Sequence, residues 1–209
     1  MKLLSVTAGL IIIALTVAVN AQNSTALKDL QNKFYSINTL SADFVQTSRL
    51  SLKDKSLSLK GKFYYQKENR YRIEFRNSEI ISDGSTVWNF NKNTKKVIIN
   101  DLNSHDASAF SLRTILIDYP AKSTVETLPK EVISGNKYNV IRLNSKGGQG
   151  FKSIKVWSDD NSIIRQVEIT DNAGTQHIFE LLNIKINPEL SGSKFSFEPP
   201  KGSEVIDLR

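Results

Sequence analysis

Apolar positions change their spacing several times along this chain, and each change marks a different kind of segment. Leu10 to Val19 is an apolar run interrupted only by Thr16. Lys2 precedes it and the small-residue site Val19-Asn20-Ala21 closes it, which is the layout of an export signal with cleavage expected before Gln22. The run is shorter than the roughly 20 apolar residues that a spanning helix needs, and polar Gln22-Asn23-Ser24-Thr25 follows it. Residues 1–21 are therefore read as a signal peptide and 22–209 as one domain.

Beyond the signal, Leu27, Leu30, Phe34 and Ile37 recur every three or four residues and predict a helix from about Thr25 to Asn38, capped by Ser24 or Thr25. The period then drops to two. Leu57, Leu59, Gly61, Phe63 and Tyr65 alternate with Ser58, Lys60, Lys62 and Tyr64, and Tyr71, Ile73 and Phe75 alternate with Arg70, Arg72, Glu74 and Arg76. Such alternation predicts half-buried antiparallel strands. Further strands are predicted at 42–47, 86–91, 96–100, 137–144, 151–158, 163–170 and 175–186, separated by turn signals such as Ser82-Asp83-Gly84 and Asp159-Asp160-Asn161. Ala109, Leu112, Ile115 and Leu116 return to helical spacing, so residues 104–119 are read as a helical insertion that ends at Pro120. The fold class is mainly β with helices: a long antiparallel meander whose greasy face needs a cover. Two helices are too few to fill a curved sheet of nine or more strands, which leaves room for an internal apolar cavity.

Composition narrows the chemistry. The chain has no cysteine, which excludes disulfides, thiol catalysis and self-lipidation at a cleavage-site cysteine. Only His105 and His177 are present, and none of the common hydrolase, metalloprotease or phosphate-loop motifs occurs. His177 falls in a strand pattern and reads as an ordinary imidazole. Gly147-Gly148-Gln149-Gly150 lies between two strands and reads as a hairpin loop. No cofactor is implied. Asp159-Asp160 sits where a turn uses Asp locally, although a glycan-active enzyme built on carboxylates alone remains a competing class. The net charge is +7, and nine Lys or Arg against three acids fall between Arg49 and Arg76. Strand parity places these charges on an outer face, either solvated or as a landing patch for an acidic partner or an anionic membrane; export argues against nucleic acid.

Four stretches then carry a resemblance. They are Leu40-Ser41-Ala42-Asp43-Phe44-Val45-Gln46-Thr47, Gly61-Lys62-Phe63-Tyr64-Tyr65 through Asn69-Arg70-Tyr71-Arg72, Ser82-Asp83-Gly84-Ser85-Thr86-Val87-Trp88, and Phe195-Ser196-Phe197-Glu198-Pro199-Pro200-Lys201-Gly202 with Glu204-Val205-Ile206-Asp207. In this order they resemble the outer-membrane lipoprotein carrier family (LolA). The resemblance implies an open antiparallel half-barrel of about nine to eleven strands, its concave apolar face covered by a helical lid. It implies a monomeric, non-enzymatic periplasmic shuttle for acylated lipoproteins, loaded by an inner-membrane lipoprotein-releasing transporter and emptied by an outer-membrane acceptor. A carrier or sensor of another lipid on the same half-barrel is the closest alternative. The family's functional arginine falls at Lys67 and its following proline at Glu68, so the charge is kept and the forked guanidinium is not. Tyr71 falls at an aromatic cavity position of the family.

Strand parity supplies the remaining candidates. The wall is expected to hold Phe44, Leu57, Leu59, Phe63, Tyr65, Tyr71, Ile73, Phe75, Trp88, Phe90, Val97 and Ile99, and the lid Leu27, Leu30, Phe34, Leu112, Ile115 and Leu116. Ordinary core packing is the competing reading for each of them. Burying three long acyl chains completely would release on the order of 35 kcal/mol, beyond the roughly 20 kcal/mol at which noncovalent affinity saturates. Partial burial behind a movable lid is therefore expected.

Overall fold

The structure, a computed structural model, describes residues 19–49, 56–102, 112–147 and 150–209, with side chains from Thr25 onward. The apolar run of the signal, Lys53, Lys55, His105, Ala109 and the first part of the helical insertion lie outside the described residues.

Helix α1 spans Val19–Ser36, earlier than the periodicity suggests. Ser24 and Thr25 consequently lie inside the helix instead of capping it. Leu30, Phe34 and the following Ile37 bury its apolar stripe, and Gln31 Nε2 donates to the carbonyl of Leu116 at 2.9 Å. The insertion keeps its helical spacing only as a short π-helical turn at Thr114–Asp118, followed by a 3-10 turn at Pro120–Lys122. Ile115 and Leu116 are its buried residues.

Among the described residues twelve strands follow one another: β1 (Thr39–Arg49), β2 (Ser56–Gln66), β3 (Arg70–Phe75), β4 (Ser78–Asp83), β5 (Thr86–Asn91), β6 (Lys96–Asp101), β7 (Ser123–Ile133), β8 (Asn136–Ser145), β9 (Phe151–Ser158), β10 (Ile164–Asp171), β11 (Gln176–Ile186) and β12 (Glu204–Asp207). They form one open sheet in the order β12-β6-β5-β4-β3-β2-β1-β11-β10-β9-β8-β7. Neighbours are antiparallel except β12 beside β6, which is parallel. The protein is thus mostly β, an unclosed sheet with few helices.

Three strands escape the sequence pattern for separate reasons. β4 reads Ser-Glu-Ile-Ile-Ser-Asp, with its two isoleucines adjacent and no alternation to see. β7 carries Pro129 inside an edge strand, where the missing N–H is tolerated, and its register slips between Leu128 and Glu131. β12 is four residues long and depends on its parallel partner.

The turns that carry the motif residues have a physical explanation. Asp83 Oδ1 accepts from the amides of Ser85 and Thr86 at 2.9 and 2.8 Å and from the Ser85 hydroxyl at 3.0 Å. Gly84 has φ of 101°, and a Cβ there would meet the Glu68 carbonyl at 2.4 Å, so the β4–β5 turn seats on the β2–β3 turn through a glycine. Burial pushes the Asp83 carboxyl up, but the Thr86 and Ser85 bonds outweigh it and hold it below the usual range. A lowered carboxylate stabilises the fold above its unfolded value and loses that contribution as pH falls through the folded one. Asp83→Ala is expected to cost about 1 kcal/mol at neutral pH, an exposed-site figure. In urea unfolding, the gap from wild type should shrink as pH drops below about 4.

Candidate lipid-binding site

Cross-strand register on the concave face assembles a cavity of about 350 Å³. Phe44 of β1 lies opposite Gly61 on one side and Leu181 on the other, and Gly61 lies opposite Phe75. The next row runs Val167, Phe179, Gln46 and Leu59, and the third Ile169, His177, Ser48 and Leu57. Partners directly opposite in a sheet point to the same face, so these rows are a wall. Phe63, Ile73 and Ile80 continue it, and Leu112 and Ile115 of the insertion form the roof. The Phe44 and Phe75 rings meet edge to face, with centroids 5.3 Å apart and planes at 90°. The Phe44 ring has room there only because residue 61 has no Cβ: one would stand 2.6 Å from Phe44 Cε1 and Cζ.

The candidates chosen from sequence distribute themselves unevenly. Phe44, Phe63 and Ile73 line the cavity together with Leu112 and Ile115. Leu30, Phe34, Tyr65 and Tyr71 are buried in the adjoining core but do not face the cavity. The Phe34 and Tyr65 rings lie 5.5 Å apart, so α1 packs on the sheet beside the cavity instead of roofing it. Leu57 and Leu59 keep concave parity but stand 68% and 52% exposed, past the covered part of the wall.

Trp88, Phe90, Val97 and Ile99 require a correction: they lie on the opposite, convex face. Register carries Tyr71 through Ser82 to Val87, so Val87 is the concave residue of β5 and Trp88 points away. Parity shows which residues share a face but not which way that face turns. On β5 the greasy face is the convex one, with Asn89 and Asn91 on the concave side, because Phe195 and Phe197 of the C-terminal tail cover the convex side. Phe197 lies 6.3 Å from Trp88 and 5.4 Å from Phe90. The family-like tail motif is therefore a cover for that second core.

Lys67 is exposed in the β2–β3 turn, its amide bonded to the Asn38 carbonyl, and it does not line the cavity. Glu68 and Asn69 adopt φ of 71° and 60°, a backbone that proline at position 68 cannot follow. Glu68 at this position thus suits the turn that the chain makes.

Tyr71 is 1% exposed, and burial pushes its phenol up to about 12. Its hydroxyl has no hydrogen-bond partner among the described residues. A buried, unpaired hydroxyl is a cost. Tyr71→Phe is therefore expected to raise stability by about 1 kcal/mol in thermal or urea unfolding, with the cavity unchanged.

Most of the second half of the wall (Val167, Ile169, Phe179 and Leu181), along with Gln46 and His177, is not singled out by the sequence. The signal is present as period-two alternation in the β10 and β11 segments, but parity alone does not say which face of those strands meets the face of β1. The basic residues Lys60, Lys62, Arg76 and Lys92 border a shallow convex groove together with Asp43 and Glu74. Arg72 is occupied there by Glu74, Glu79 and the Lys194 carbonyl. Asp159 and Asp160 serve their turn: Asp159 accepts from the Asn161 and Ile163 amides and pairs with Arg165, and Asp160 pairs with Lys130.

The concave apolar wall and its roof bring a family into view, and the sequence profile described as outer membrane lipoprotein carrier protein LolA matches residues 35–198. The chain belongs to this family. An outer-membrane lipoprotein carrier protein of Legionella pneumophila (strain Corby) is 27% identical over 188 residues, covering 88% of this chain and 91% of that one. One from Francisella tularensis subsp. novicida (strain U112) is 24% identical over 193 residues, covering 91% and 92%. Among solved structures, an uncharacterized conserved protein from Thermus thermophilus shares the fold with a TM-score of 0.60 at 12% identity, covering 89% of this chain and 99% of that one. MucB shares it with a TM-score of 0.53 at 11% identity, over 90% of this chain and 66% of that one. Members of the LolA family are carriers, and the matched span takes in all the cavity-lining strands of this chain.

Proposed function

We propose that this protein is a periplasmic carrier that holds the acyl chains of lipoproteins in the concave cavity and moves them from the inner to the outer membrane. In this reading it is exported with residues 1–21 removed, accepts cargo from an inner-membrane releasing transporter, and passes it to an outer-membrane acceptor. The observation that carries the reading is an almost wholly apolar cavity between sheet and roof, walled by Phe44, Phe63, Phe75, Phe179 and Leu181. Water gains nothing there and an alkyl chain does.

Magnitude fits the task. At about 30 Å³ per methylene-sized group, as for water, the 350 Å³ cavity holds on the order of a dozen methylenes. Their burial is worth on the order of 10 kcal/mol, inside the ceiling for reversible binding. Complete burial of three chains would need the roof to move away. The polar link from α1 to the roof, Gln31 to Leu116, is a neutral hydrogen bond of modest net strength.

Mass spectrometry of species co-purifying with the exported protein tests this. Acylated protein or peptide is the expected occupant. Free phospholipid or glycolipid in its place would move the assignment to a carrier of another lipid on the same fold.

A further inference from the structure

The cavity is not apolar at every point. Gln46 lines it from β1, between Phe44 and Ser48, and its side-chain amide has no hydrogen-bond partner among the described residues. Two residues along the same face, Ser48 Oγ lies 3.1 Å from His177 Nδ1, and His177 Nε2 lies 3.4 Å from Asp171 Oδ2. We propose that Gln46, with this Ser48–His177–Asp171 chain beside it, is a subsite for the carbonyl that joins an acyl chain to its polar headgroup.

Position favours it. Rows of the wall change character toward this end: Leu181, Phe44 and Phe75 are followed by Phe179 and Gln46, then by His177 and Ser48. On β2 these same two rows end in Leu59 and Leu57, both exposed, so this end of the wall opens to solvent. A chain seated against Phe44 and Phe75 therefore brings its linkage to the Gln46 row.

Chemistry favours it as well. The Asp171 carboxylate only accepts, so His177 Nε2–H is the donor to it, and a ring with that tautomer accepts at Nδ1 from the Ser48 hydroxyl. The Ser48 oxygen keeps its lone pairs for accepting, suited to a hydroxyl or amide N–H of the headgroup. Gln46 is the donor with protons to spare, and the group it lacks is an acceptor such as an ester or amide carbonyl. An alkane tail alone would leave the Gln46 amide unmatched, which costs binding.

This subsite rests on the carrier reading, and the experiment separates the two. Binding of hexadecanoyl glycerol and of hexadecyl glycerol, identical but for the missing carbonyl, is measured by calorimetry on the purified protein and on Gln46→Leu. The expected result is about tenfold tighter binding of the ester by wild type. Gln46→Leu should abolish that preference by weakening the ester alone, with the ether bound as well as before. Equal binding of ester and ether by wild type overturns the subsite while leaving the cavity a lipid site. So does a preference that survives in Gln46→Leu. Binding of neither probe overturns the subsite together with the carrier reading.

Discussion

Gly61→Ala is expected to destabilise the protein by about 3 kcal/mol, the upper end for overpacking a built core. The new methyl would stand 2.4 Å from the Glu74 carbonyl and 2.6 Å from two atoms of the Phe44 ring. The carbonyl belongs to β3, whose pairing with β2 fixes it, so the backbone cannot withdraw without breaking the ladder. The ring can yield only into the cavity or against Phe75, which it already meets edge to face. Stability and cavity volume are therefore lost together. Urea unfolding should show a lower midpoint with an unchanged slope, because the surface exposed on unfolding hardly changes. A loss below 1 kcal/mol would mean that Phe44 has freedom that its packing does not suggest.

Val167→Trp should do the reverse, leaving the fold standing and removing the ligand. Val167 lines the cavity from β10, with Phe179 opposite it on β11. An indole placed there takes space that would hold about four methylenes of a chain. At roughly 0.8 kcal/mol each, that is about 3 kcal/mol, or on the order of a hundredfold in affinity. Because the added volume enters a cavity and not a packed core, the unfolding midpoint should stay close to wild type. Direct titration with an acylated peptide checks it. Wild-type affinity in the variant would mean that the acyl chain binds elsewhere.

How far the sequence foretells this arrangement depends on which residues are asked. Alternation from Leu57 to Tyr65 and from Tyr71 to Phe75 places Phe63, Ile73 and Phe75 on the cavity side correctly, because the other face of those strands is charged. It misplaces Trp88 and Phe90 because alternation shows that they share a face, opposite Asn89 and Asn91, but not which way that face turns; the register through β4, a strand with no alternation of its own, sets it convex. Register between distant segments is not local information. β1 pairs with β11 some 140 residues away, so the facing of Val167, Phe179 and His177 follows from a contact that no window of sequence contains. The roof is legible from Leu112 and Ile115, although its short π-helical form is not. The four motif stretches explain themselves afterwards: Gly61 makes room for Phe44, Gly84 seats one turn on another, and Phe195 and Phe197 cover the convex face.

The most direct test of the carrier reading is release of a labelled lipoprotein from inner-membrane vesicles that contain the releasing transporter. Purified residues 22–209 are added, and the soluble fraction is sized. A carrier should draw label off the membrane as a one-to-one soluble complex, and Val167→Trp should leave it behind. Label that stays in the vesicles with folded wild-type protein present would contradict the proposed function, and leave the half-barrel as a fold without that task.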